Sequence, residues 1–118
     1  MRIEIRKRGI ETAILISFDT NTEKFESNYD RNKFFSGLYG RKQIVIKQEK
    51  RYVYHRNGML DQIPHKRVGD SVFLIMREHL RMMERFFREW EDKVEFKAFP
   101  VLLPKKEIRM MQKEADEE

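Results

Sequence analysis

The longest uninterrupted apolar run in this chain is five residues, Val72–Met76. A membrane-spanning helix needs about 20, so none is expected, and the core has to be assembled from segments that are apolar on one side. The opening residues lack the apolar stretch of a signal peptide, and none is expected. Charged side chains make up 38% of the 118 residues and apolar ones 40%, against about 25% charged in an average soluble protein. A chain of this length suits one domain with a two-layer core. It contains no cysteine. That excludes a disulfide framework, a thiolate-ligated zinc or iron–sulfur site and a thiol nucleophile. The expectation is a small cytoplasmic protein with no membrane contact and no cofactor.

Periodicity marks the elements. Ile3 and Ile5 alternate with Arg2, Glu4 and Arg6, which predicts a strand, and Gly9 permits a turn after it. Residues 12–18 are apolar enough for a central strand. Thr20 and Glu23 have capping-box spacing and predict a helix entry. The helical region runs to about Tyr39 with a break near Asp30, which could itself cap a turn, and Gly37 and Gly40 end it. Residues 41–75 read as an antiparallel meander. Within it, 43–47 and 51–55 are strands, and Asn57-Gly58 is the type I′ hairpin signal. Pro64 interrupts the next strand or sets it at an edge, and 71–75 form a short buried strand. In the helix 76–91, Met76, Leu80, Met83, Phe87 and Trp90 fall on one stripe. Residues 93–99 return as a strand that Pro100 closes, and Pro104 opens a charged helix with Ile108, Met111 and Ala115 in line.

The order is therefore ββ-α-βββ(β)-α-β plus a short C-terminal helix. It predicts an α+β fold: a mainly antiparallel sheet of five to seven strands with helices packed on one face. Residues 1–103 form a single domain in this reading, and 104–118 a charged C-terminal helix or tail.

Function is approached through the distribution of charge. The net charge is +5, yet residues 31–67 carry ten basic side chains and two acids, a local balance of +8. A concentrated positive field attracts a polyanion and speeds its encounter; solubility alone is the plain alternative. Rings are interleaved with the cations, and rings stack on unpaired bases while cations neutralise phosphates. The candidate interface is Arg41, Lys42, Lys47, Lys50, Arg51, Arg56, Lys66 and Arg67 for phosphates, with Tyr52, Tyr54 and His55 as stacking surfaces. The expected ligand is nucleic acid, as RNA or single-stranded DNA, because no zinc-finger or recognition-helix pattern is present. The acidic residues at the C-terminus could compete for that face.

Other chemistry is weaker. Arg77, Arg81, Arg85 and Arg88 share a ridge of the helix 76–91, where pairs such as Glu84–Arg88 and Arg85–Glu89 would make it a salt-laced solvated face. His55, His65 and His79 have no metal-ligand spacing, and His79 reads as a core imidazole. Glu95-Phe96-Lys97, with Asp70 or Asp92 as a second acid, has the form of a metal-dependent nuclease strand. Residues 36–42 lack the register of a phosphate loop but leave an anion-binding corner at Arg41 and Lys42. Met82, Met83, Phe86, Phe87 and Trp90 make a wide apolar arc. It suggests a homodimer, or a subunit of a larger complex, through the helix 76–91 or an open sheet edge.

Overall fold

The computed structural model describes residues 10–116, with side chains to residue 114. The strand expected at 2–6 and the turn at Gly9 lie outside the described residues. Ile14, Ile16 and Phe18 alternate along β1 (Ile10–Thr20), so one face of this strand is continuously apolar and buried. The strand sits inside a four-stranded antiparallel sheet of order β4-β5-β1-β6, with β4 at His65–Gly69, β5 at Val72–Met76 and β6 at Val94–Pro104. Cross-strand partners extend its buried face. Ile14 lies opposite Ile75, Ile16 opposite Phe73, and Phe18 opposite Phe96.

Two helices cover that face. α1 (Asn28–Tyr39) contributes Phe34 and Leu38, and α2 (Leu80–Arg88) contributes Met83 and Phe87, all fully buried. Phe34 is the hub. Its ring centroid lies 5.6 Å from Phe18, 5.7 Å from Phe86 and 5.4 Å from Trp90, two of these contacts edge-on, the arrangement that ring quadrupoles favour. α1 starts later than expected. The capping residue is Ser27, whose Oγ accepts from the Asp30 amide at 3.2 Å, while the Asp30 carboxylate accepts from the Glu26 amide at 3.3 Å. This reciprocal pair displaces the Thr20/Glu23 box. Asn21 precedes only a short 3-10 turn, Thr22–Lys24, and makes no side-chain cap.

The reading is right in class, α+β with mostly antiparallel strands, and departs in four details. First, the described strands form two sheets. β2 (Arg41–Lys47) and β3 (Lys50–Arg56) pair only with each other, so there is no continuous meander over 41–75. Second, the hairpin turn is Gln48-Glu49, with φ of 50° and 66°, and not Asn57-Gly58. Gly58 meets a different demand. A Cβ there would lie 2.3 Å from the Gly40 nitrogen, so glycine permits two backbone segments to touch. Third, helices occupy both faces of the sheet. α3 (Lys105–Asp116) packs on β1, β4 and β6. The Lys66–Glu107 ion pair, at 3.0 Å, fixes its side as the one bearing Leu74. Its buried Ile108 and Met111 serve the face that also carries buried Ala13, Leu74 and Met76. Fourth, β6 runs through Pro100 to Pro104. Among the described strands it is an outer one, where a proline is tolerated because a missing N–H can fall on the unpaired side.

Two smaller differences concern the helix 76–91. Residues Arg77–His79 are a 3-10 turn and α2 ends at Arg88. His79 is the last residue of that turn, half-buried with Nε2 3.7 Å from Glu78, and is not in the core. No described helix is long and apolar enough to cross a membrane.

Candidate nucleic-acid interface

Alternating β-branched and aromatic residues favour extended chain, and they hold β2 and β3 together as a two-stranded ribbon. Ile44 faces Val53 and Val45 faces Tyr52, cross-strand pairs of the kind that stabilise an antiparallel ladder. A hairpin standing alone is marginal in water, so its root matters. Three contacts clamp it. The Met59 amide donates to the Gly37 carbonyl at 2.7 Å, the Gly58 amide donates to Asp61 Oδ2 at 2.7 Å, and His55 Nε2 lies 3.3 Å from the same oxygen. Gly40, at φ 82°, caps α1 and turns the chain straight into the ribbon.

Within residues 41–56 the sequence has six cations and one carboxylate, Glu49 at the turn. All seven residues of β3 are exposed. Arg41, Lys42, Lys47, Lys50 and Arg51 make no ion pair among the described residues, and Arg56 Nε donates to Gln43 Oε1 at 2.8 Å. Unpaired like charges on so small an element repel one another. A polyanion that neutralises them releases its own counterions, a favourable and salt-dependent term.

Nine of the eleven candidate residues lie on the ribbon. The other two lie on β4 and are already engaged. Lys66 is tied to Glu107. Arg67 stacks its guanidinium 3.9 Å from the Tyr39 ring centroid, with Asp70 Oδ1 3.7 Å away. Burial pushes the Tyr39 hydroxyl above its ordinary pKa of 10.0, against the pull of Arg67, and that hydroxyl donates to the Asp70 carbonyl at 2.8 Å. Arg67 therefore lies over a partly buried ring on the main sheet, apart from the ribbon.

The structure adds neighbours that the sequence did not single out. Tyr29, Asn32, Lys33, Ser36 and Gly37 of α1 line a groove of about 360 Å³ whose far wall is Arg41. Helical spacing on α1 could have signalled Tyr29, Lys33 and Ser36 as one face, but not that the ribbon root would close it.

The remaining candidates separate from this surface. Arg77, Arg81, Arg85 and Arg88 are exposed, and neither Glu84–Arg88 nor Arg85–Glu89 forms an ion pair within 4 Å. Glu95 stands opposite Asp19, and Lys97 opposite Ser17, in the β1–β6 ladder. Glu95 and Asp92 share a cleft of about 460 Å³ with Asp19, Glu23 and Glu91, while Asp70 sits beside Arg67. Among the described residues no three acidic or imidazole side chains are placed to hold a metal ion. The apolar arc expected for 76–91 is occupied within the chain: Met82 and Phe86 of α2, and Trp90 just after it, pack against the buried cluster around Met83 and Phe87.

Comparison of this chain with protein-family models, with curated proteins and with solved structures found no match.

Proposed function

We propose that this protein binds nucleic acid, as RNA or single-stranded DNA, through its protruding basic ribbon. One observation carries the reading: five cations of an exposed two-stranded ribbon pair with no carboxylate among the described residues. Solubility does not require like charges to be gathered on one small element, whereas a phosphate backbone does. The test is binding of a labelled single-stranded oligonucleotide across a salt series. Three or more phosphate contacts at roughly 0.7 each require log K to fall with log salt at a slope steeper than about −2. Binding that ignores salt, or no binding at low salt, ends the proposal.

A second reading, self-association or assembly into a larger complex without catalysis, is favoured by a different observation. Among the described strands β6 is an outer one, and its Phe99 and Leu102 are exposed. An open apolar edge invites strand pairing. Sedimentation across a hundredfold concentration range tests it, and a chain that stays monomeric throughout defeats it. A metal-dependent nuclease centred on Glu95 and Lys97 is the weakest proposal. Mg²⁺-dependent cleavage that survives Glu95→Gln would remove it.

A further inference from the structure

The ladder register divides the ribbon into two unlike faces. On one, Arg41 and Arg56 stand at the root and Lys47 and Lys50 at the tip, with Tyr52 and Tyr54 between them. On the other, the centre is aliphatic: Ile44, Ile46 and Val53 are 51%, 73% and 58% exposed. The only ring on that second face, His55, is held against Asp61. Base stacking needs accessible π-faces, and the first side offers two, Tyr52 and Tyr54, 41% and 47% exposed, where the second offers one imidazole oriented by a carboxylate.

Spacing agrees with this choice. Residues two apart on a strand are about 6.8 Å apart. That is roughly twice the 3.4 Å rise per nucleotide of a stacked strand, so consecutive bases of an extended single strand can each meet one ring. The cation pairs at root and tip are six residues apart, about 20 Å along the ribbon, and bracket the rings at both ends. Beyond the root the same face leads to the α1 groove, because Arg41 belongs to both. There Lys33 offers another phosphate contact and Tyr29, 78% exposed, a third ring.

We infer that an unpaired polynucleotide lies along the Tyr52/Tyr54 face of the ribbon and continues past Arg41 into the groove beside Tyr29 and Lys33. The opposite, aliphatic face contributes only its field. This rests on the nucleic-acid reading above and adds which face is used, in which direction the strand runs on, and that the ligand is unpaired.

The experiment compares two variants with equal loss of charge, Lys47→Gln/Lys50→Gln on the ring face and Lys42→Gln/Arg51→Gln on the aliphatic face. Binding is read by fluorescence anisotropy with 12-nucleotide oligouridylate, oligodeoxythymidylate and a 12-base-pair DNA duplex. The ring-face variant should lose at least five-fold more affinity for the single strands than the aliphatic-face variant. Tyr52→Leu/Tyr54→Leu should lose about thirty-fold or more, Tyr52→Phe/Tyr54→Phe should recover most of it, and Tyr29→Leu should lose several-fold. Far-UV circular dichroism of each variant confirms that the fold is retained. Either single strand binding more tightly than duplex supports the inference, and the tighter of the two names the ligand. Equal losses from the two charge pairs, or full affinity without the tyrosine rings, overturns it while leaving the nucleic-acid reading intact; preference for the DNA duplex overturns it together with the RNA or single-strand choice of that reading. A wild-type protein that binds none of the three at low salt overturns that reading itself.

Discussion

Two glycines show how a residue's role depends on what lies beside it. Gly58 and Gly69 are each near the end of an extended segment, but a Cβ on Gly58 would lie 2.5 Å from the Leu38 carbonyl oxygen, whereas one on Gly69 would meet nothing within 4 Å. Gly58→Ala should therefore cost about 2–4 kcal/mol of stability, through forced separation of two backbones, and Gly69→Ala should stay within about 0.5 kcal/mol of the parent. Urea midpoints of the two variants check both. The Asp30–Lys93 pair, 2.8 Å apart, gives a prediction in pH. The hydrogen bond from Lys93 holds the Asp30 carboxyl below its ordinary 3.8, and the same bond raises Lys93 above 10.5. A depressed acid stabilises the fold above its unfolded pKa and loses that contribution as pH falls through the folded value. A raised lysine stabilises below its unfolded pKa and loses it as pH rises through the folded value. Stability from this pair should be level between about pH 4.5 and 10 and fall at both ends. Asp30→Asn should flatten the acid limb of a melting-temperature profile; an unchanged acid limb would show that the pair contributes nothing.

The ribbon is the element whose local preferences are least satisfied. Its turn places Gln48 and Glu49 at positive φ, where residues with a Cβ cost about 1 kcal/mol each. Gln48→Asn/Glu49→Gly should relieve that strain. Because the ribbon makes its own ladder, the gain should appear as slower amide hydrogen exchange in β2 and β3, with little change in β1 and β5. Uniform slowing would mean that the ribbon unfolds with the sheet rather than before it. The contrast with β1 is instructive. β1 is paired on both sides and covered on both faces, so its regularity is enforced by neighbours, while among the described strands β2 and β3 pair only with one another.

At the scale of the whole molecule, stability and charge are held in different places. The buried cluster joins α1, α2 and the sheet through Phe34, whose ring lies against those of Phe18, Phe86, Phe87 and Trp90. Phe34→Ala should cost about 3–5 kcal/mol, since the void is walled by rings on separate elements that cannot collapse together. Thermal unfolding followed by Trp90 fluorescence measures it. Polynucleotide should raise the melting temperature of the parent chain, and should do so less at high salt, because counterion release drives the association.

Several features were legible without coordinates. The apolar runs of β1 and β5, the alternation in the first half of β6, the apolar stripe of α2, the buried pair Ile108 and Met111, and the cationic bias of residues 41–56 are all local patterns. A period of 2 or 3.6 marks a face whatever that face meets. Nine of the eleven candidate residues fall on one element for the same reason, because they are close together in sequence on one hairpin. Partnership was not legible. That β2 and β3 leave the main sheet, that Arg67 is drawn onto Tyr39 and Lys66 onto Glu107, that α3 takes the second face, and that Tyr29 and Lys33 meet Arg41 all follow from contacts between distant positions. Such contacts are decided by which surfaces exclude water together and which backbones can approach, as Gly40 and Gly58 do. Periodicity says which side of an element is apolar; only the folded chain determines what that side is pressed against.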